Sequence, residues 1–231
     1  MAWFIGNKSE PMPTYEGPKF AQPGEVGKLF AYGSYQGKFE LDGSYSLIDL
    51  ETSGFNPPHA KILEIAILKI KVNGEIIEEF STLIDPMDTD VGRTDIHGIT
   101  LSMLKCAPTF AEATGPILKI IQNSILVAHN AKFEENFLVN EFKISGVSLP
   151  LLPAIDTLWL SRQVLNLKNY KLETVVASYN ERIEDAHTAL GDVRAMAKVL
   201  PRMFEKAQKV FYPKPFSELP QIATTFRAKP R

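Results

Sequence analysis

Cysteine is nearly absent: Cys106 stands alone in 231 residues, so no internal disulfide can form. Stability must come from a core, and a reducing compartment is the expected home, which makes the cytoplasm the expected location. Cys106 itself reads as a small core residue. Long apolar runs are also missing. No window of about 18 apolar residues offers a membrane-spanning helix. The opening Met1-Ala2-Trp3-Phe4-Ile5 is too short for the apolar stretch of a signal peptide. No membrane partner is therefore expected. Nor does one sign of charge dominate, since 25 Lys and Arg face 27 Asp and Glu for a formal net charge of −2. That excludes a broadly basic surface that coats nucleic acid. Internal repeats and low-complexity tracts are absent too. What is present, 45% hydrophobic and 23% charged residues, suits one sizeable core rather than two full domains.

Residues 1–44, rich in Gly, Pro, Ser and Tyr, read as an N-terminal extension with short strands at most, at Leu29-Phe30-Ala31-Tyr32 and Phe39-Glu40-Leu41. A core domain is expected over 45–205. Ser46-Leu47-Ile48-Asp49-Leu50 is a compact apolar strand, and Ile62 to Val72 is a longer one. Asn73-Gly74 then signals a hairpin into a third strand, Glu75 to Leu83. Thr109, with Glu112 three residues on, predicts a capping box for a helix to about Ile121. Ser124 to Ala128 is a short buried strand. Ala131 to Ile144 is an amphipathic helix with Phe133, Phe137, Leu138 and Phe142 at inward spacing. Shorter helices are expected over Ile155–Leu165 and Leu172–Tyr179, and a last one over Thr188–Phe204. The remainder, 206–231, is a basic, Pro-containing tail.

Three acidic stretches carry the chemistry. Ile48-Asp49-Leu50-Glu51 ends an apolar strand in D-x-E. Two residues apart on a strand, Asp49 and Glu51 share a face, and a buried like-charged pair is costly unless a cation lies between. Val127-Ala128-His129-Asn130-Ala131-Lys132-Phe133-Glu134 places an acid one turn into a helix that follows a buried strand, where α/β proteins collect functional groups. Its neighbour Glu135 points roughly 100° away around that helix, so only one of the two can face the site. Ala186-His187-Thr188-Ala189-Leu190-Gly191-Asp192 sets a His five residues ahead of an acid. If the helix starts near Thr188, His187 lies in the preceding loop and can swing over the face carrying Asp192. A histidine there suits a general base. His129 is read as bracing its strand-to-helix turn by hydrogen bonds. Four carboxylates and one imidazole from three parts of one domain suffice to hold two divalent cations beside a water.

Together these segments resemble the DEDDh family of 3′→5′ exonucleases in the ribonuclease H-like superfamily, most of all the exonuclease domain of the bacterial DNA polymerase III epsilon subunit. Ile96-His97-Gly98-Ile99-Thr100, Ala107-Pro108-Thr109-Phe110 and His129-Asn130-Ala131 add to the likeness, which spans about 45–205. The resemblance implies an α/β ribonuclease H-like fold with a mixed central sheet, three antiparallel strands followed by βα units, flanked by helices. It implies hydrolysis of phosphodiester bonds from a 3′ end to release nucleoside monophosphates. Asp49 would bridge two metals, Glu51 and Asp192 would hold the one carrying the attacking water, and Glu134 would serve the second. His187 would take the water's proton. Leu50, Thr52, His97, Ile99, His129 and Asn130 fall where the family holds the terminal nucleotide. All-oxygen ligands favour Mg²⁺ or Mn²⁺. One departure stands out: the family's usual acid at the second motif is Asp, and here it is Glu134.

The implied partner is nucleic acid with a free 3′ end, single-stranded DNA first, with RNA left open. A polymerase-bound proofreader is the alternative with the same chemistry, and a binding module that has lost catalysis is the alternative from another class. The complete set of four acids and a His argues against the latter. Two segments are candidates for docking a polymerase or sliding clamp: Gln163-Val164-Leu165-Asn166-Leu167, which loosely resembles a clamp-binding peptide but reads as helix, and the basic tail.

Overall fold

The computed structural model describes residues 28–32 and 42–211. Six strands form one mixed sheet: β1 (Phe30–Tyr32), β2 (Tyr45–Thr52), β3 (Ile62–Ile70), β4 (Ile76–Leu83), β5 (Ile125–Ala128) and β6 (Leu152–Asp156), in the order β1-β6-β5-β2-β3-β4. The β2-β3-β4 meander is antiparallel, while β5 joins β2, β6 joins β5 and β1 joins β6 in parallel. The antiparallel trio comes from local hairpins. At the second of them Gly74 has φ +90, and a Cβ there would lie 3.1 Å from Pro201 Cγ, so the turn needs glycine.

Helices cover both faces. α1 (Thr94–His97) and α2 (Leu101–Leu104) are single turns after β4. α3 (Phe110–Ile121) starts at the expected capping box, with the Thr109 side chain accepting from Glu112 N and the Glu112 carboxylate accepting from Thr109 N. α3 packs on β3 and β4, and α4 (Ala131–Ile144) packs on β2, β5 and β6. α5 (Thr157–Val164) and α6 (Leu172–Ala177) pack on the long α7 (Ala189–Phe211), which lies across β2 and β3. Covered in this way and flanked by strands on both sides, β3 buries eight of its nine residues, all but Glu64. The exposed β4 forms the edge.

Several expectations need correction. The short strand expected at Leu29–Tyr32 forms as β1; what changes is its place, since it lies in the sheet as a fully buried edge strand beside β6 rather than in a separate extension. Phe39-Glu40-Leu41 lies outside the described residues. The helix expected from Ile155 starts at Thr157, because Leu152–Asp156 is a strand. The last helix runs on to Phe211, so 206–211 belong to α7 rather than to a tail, and 212–231 lie outside the described residues. Cys106 is exposed, in the turn that leaves α2. Val164, Leu165 and Leu167 pack against the core, which turns the apolar side chains of the candidate clamp peptide inward. Among the described residues no helix is long and apolar enough to cross a membrane.

Candidate active site

The site forms where the carboxyl ends of β2, β5 and β6 meet, because these strands end at different heights. β5 pairs only with Tyr45–Leu47 of β2, so Asp49 to Thr52 run on past it and leave a notch beside Asp49. The chain fills the rim of that notch with the turn His129-Asn130 into α4. Asn130 adopts φ 76, a left-handed conformation that Asn tolerates, and its N–H donates to Asp156 Oδ1 at 3.0 Å. From above, the first turn of α7 brings in Asp192. A recess beside the acids is lined by Asp49, His129, Leu172, Asp192 and Met196, among others.

Asp49, Glu51 and Asp192 each offer an oxygen, and these three atoms lie within 4.8 Å of one another. Glu134 stands outside that trio but is buried, and its charge acts on Asp49. Burial raises Asp49 well above the usual carboxylate range, and the charges of Glu134, Asp192, Glu51 and Glu64 add to the rise. Burial pushes Glu51 up to about 7, helped by Asp192 and Glu64. Burial likewise pushes Asp192 up to about 6, opposed by His187. Glu134 is raised well above its ordinary value, again first by burial, with Asp156 adding to it. Two carboxylate oxygens of this set, Glu134 Oε2 and Asp192 Oδ1, are buried with no hydrogen-bond partner. Orphaned anionic oxygens around crowded acids are what a hard divalent cation satisfies. The donor set therefore fits Mg²⁺ or Mn²⁺.

His187 lies where the sequence placed it, exposed in the loop before α7, with φ 66. The loop is held at both ends. Thr188 Oγ1 donates to Asp185 O and accepts from Gly191 N, while Asp192 N donates to Thr188 O. At Gly191 an added Cβ would meet Asp185 O at 2.3 Å and Glu184 O at 2.5 Å, so only glycine lets the loop lie against the helix.

The remaining candidates divide by burial. Thr52 Oγ1 donates to Gly54 O at 2.7 Å, fixing the exit from β2. Leu50 is buried on the face of β2 opposite Asp49 and Glu51. His97 is buried with both ring nitrogens engaged, one on Val91 O and the other accepting from Ile99 N. Ile99 packs with Leu63 and Leu104. These two residues shape the loop around the site from within. His129 braces its turn as expected: Nδ1 pairs with Thr157 Oγ1, and Nε2 donates to Tyr170 O at 2.8 Å.

Two acids escaped the sequence reading. Asp156 caps α5 through Leu158 N and Trp159 N while also receiving Asn130 N. Its signal, an acid closing an apolar run just before a helix, was hidden by starting that helix two residues early. Glu64, paired across the ladder with Glu51, accepts from Ala189 N at 3.1 Å and so ties β3 to the first turn of α7. Its signal was available: an acid in an apolar core strand that runs beside D-x-E. A larger cavity of about 340 Å³ lies behind the His187 loop, lined by Gly74, Ile76, Asp185, Arg194 and Lys198 among others. None of the four acids lines it.

The fold is of the ribonuclease H-like class, and its acid set is one that a divalent cation can join. The Exonuclease family model matches residues 46–200, and the chain belongs to that family. It is similar to the PolC-type DNA polymerase III of Caldanaerobacter subterraneus subsp. tengcongensis, 34% identical over 172 residues, covering 74% of this chain and 12% of that protein. The PolC-type DNA polymerase III of Thermotoga petrophila is 35% identical over 195 residues, covering 83% of this chain and 14% of the relative. The chain thus spans about an eighth of the length of these polymerases. Among solved structures, the nuclease domain of 3′hExo, a DEDDh family member bound to rAMP, superposes with a TM-score of 0.63 at 17% identity, over 73% of this chain and 94% of that one. Exonuclease X in complex with 5′ overhanging duplex DNA gives 0.56 at 24% identity, over 71% and 92%. The fold is therefore that of the ribonuclease H-like exonucleases.

Proposed function

We propose that this chain is a divalent-metal-dependent 3′→5′ exonuclease that removes nucleoside monophosphates from single-stranded DNA. The convergence of Asp49, Glu51 and Asp192, with orphaned oxygens on Asp192 and Glu134, carries the reading. Asp49, Glu51 and Asp192 would hold the cation, and Glu134, whose charge acts on Asp49 from α4, would serve a second one. Bound Mg²⁺ or Mn²⁺ supplies Lewis acidity, making water nucleophilic near neutral pH and steadying charge on the leaving 3′ oxygen. His187 accepts the proton of the attacking water; its exposed loop lets the ring approach the substrate end. As the water oxygen bonds to phosphorus, the bond from phosphorus to the 3′ oxygen breaks and that oxygen takes up a proton. Thr52 contacts the terminal nucleotide, while Leu50, His97 and Ile99 support that contact from beneath. His129 and Asn130 set the rim that carries α4.

DNA rather than RNA is favoured by the relatives at 34% and 35% identity, which are DNA polymerases. The same observation favours a second reading, proofreading for a polymerase, with the present chemistry unchanged. The test uses strands labelled at either end. Loss of the 3′ label first, release of monophosphates and arrest by chelator are expected. Digestion that persists in EDTA, or a 5′ label lost first, would overturn the proposal.

A further inference from the structure

The acid-lined notch poses a physical problem for its own substrate. A nucleic acid strand is a polyanion, and it must approach Asp49, Glu51, Asp192 and Glu134 in a chain of net charge −2. Bound cations offset the acids for the terminal phosphate, but the strand leading in needs positive charge on the rim as well. The connection between α5 and α6 has the charge, the place and the rigidity to meet that need.

Its place is set by two contacts. His129 Nε2 donates to Tyr170 O at 2.8 Å, tying the connection to the rim of the notch. Leu172, the first residue of α6, lines the recess beside Asp49 and Asp192. Its charge comes from Lys168 and Lys171, joined by Arg162 from the last turn of α5, all exposed. None of the three has an ion-pair partner among the described residues, whereas Lys69, Lys71, Lys119, Lys198, Arg194 and Arg202 are each matched to an acid. The rigidity is internal. Tyr170 Oη donates to Leu165 O, Asn169 Oδ1 accepts from Lys171 N and Thr174 Oγ1, and the Arg162 guanidinium lies 5.9 Å over the Tyr170 ring. Cations on a pre-ordered loop lose little freedom when they meet phosphates.

We propose that Arg162, Lys168 and Lys171 form a seat for the phosphate backbone of the strand that leads into the notch, gripping nucleotides beyond the one being removed. This rests on the exonuclease reading of the acid cluster, and it predicts a preference for longer strands over dinucleotides that the cluster alone does not supply.

The test measures binding and hydrolysis separately in the full chain. Fluorescence anisotropy with a labelled oligothymidylate of about 12 nucleotides, within the length one such groove covers, is run in chelator so that no turnover occurs. The double variant Lys168→Ala/Lys171→Ala is expected to bind about tenfold or more weaker. The slope of log affinity against log salt should shrink by about 0.7 for each cation removed, and further with Arg162→Ala. The control Lys105→Ala/Lys143→Ala, which removes equal charge from exposed sites elsewhere, should stay within about twofold of the parent. In the metal-loaded enzyme, the variant's loss in kcat/KM should be at least several-fold greater on the long strand than on a dinucleotide. Unchanged affinity and salt slope in the double variant, or an equal loss in the control pair, would overturn the seat. A parent chain that binds the strand but hydrolyses neither substrate would instead overturn the exonuclease reading, while the anisotropy series still decides the seat.

Discussion

Adjacent glutamates on α4 show how one residue of helical rotation separates two jobs. Glu134 Oε2 is buried without a partner, and its charge acts on Asp49. Glu135 is just as buried but accepts from Leu29 N at 2.8 Å, Phe30 N at 2.9 Å and Lys132 Nζ at 2.9 Å, pinning β1 to α4. Burial works to raise Glu135, yet the Leu29 and Phe30 N–H groups and the Lys132 ammonium outweigh it, and the group ends below its ordinary value. Glu134→Ala should therefore fold normally and lose most activity, while Glu134→Asp should remain active. If the longer arm of Glu sets the second cation slightly off ideal geometry, Mn²⁺ should outperform Mg²⁺ in the parent, since Mg²⁺ tolerates displacement poorly. Glu135→Ala strands two buried backbone donors and should cost about 2–4 kcal/mol of stability, with turnover per folded molecule retained; chemical denaturation alongside the activity assay separates the two outcomes. Near-full turnover in Glu134→Ala would remove that residue from the site. His187→Ala should slow hydrolysis by roughly 10²–10⁴-fold without moving the metal concentration that gives half-maximal activity, because no ligand is lost. A shift in that concentration would make His187 a ligand instead.

At the scale of elements, the position of α7 decides whether the third motif reaches the first. Packing on β2 and β3 sets the helix as a whole, and two contacts fix its first turn: Glu64 receives the Ala189 N–H, and Gly191 lets the His187 loop lie against the helix. Glu64→Ala removes a cap on the helix start, worth about 0.5–2 kcal/mol, and lets Asp192 drift from Asp49 and Glu51. Turnover should fall about tenfold, and the metal requirement should rise. Glu64→Gln keeps an acceptor and should restore most of both; failure of Gln to rescue would assign the effect to charge instead of position. Gly191→Ala should push the loop away and lower kcat toward the level of His187→Ala while Tm in metal changes little. Much of this frame was legible in the sequence, for physical reasons. Asn73-Gly74, the Thr109–Glu112 box and the strict spacing of α4 are local signals, and all three elements form where they were expected. What stayed illegible depended on distant partners. The short strand at Leu29–Tyr32 could be read, but its place in the sheet could not, because β6 and Glu135 set it, and β6 was masked by the helix that follows. The acids of the three motifs could be read because each closes or follows an apolar run, whereas Glu64 acquires its role only through the antiparallel register that sets it opposite Glu51.

For the whole molecule, the acid cluster makes stability depend on pH and metal together. Glu51 at about 7 and Asp192 at about 6 lie above the ordinary carboxylate range, and Asp49 and Glu134 are raised as well, burial being the first cause in each case. A carboxyl group with a raised folded pKa binds more protons folded than unfolded. The stability it contributes is complete below about pH 4, the unfolded value, and is lost as pH rises through the folded value. The acids held below their ordinary values, such as Asp42 and Asp95, act in the opposite sense, but only at lower pH. In chelator, Tm should therefore fall steadily from about pH 5 to about pH 7.5. A cation that binds the ionised carboxylates reverses this, adding about 2.7 kcal/mol at a hundredfold excess over its dissociation constant. With saturating Mg²⁺ or Mn²⁺ the decline should flatten or invert. Asp49→Asn removes the charge that all the other acids oppose. That variant should melt above the parent in chelator at pH 7.5, approach it near pH 5, and gain little from metal. Scanning calorimetry of both proteins across the pH series, with and without metal, reads all of these at once. A parent whose Tm in chelator stays level or climbs over that window would mean that the four carboxylates are not crowded against one another, and the metal centre would lose its physical basis.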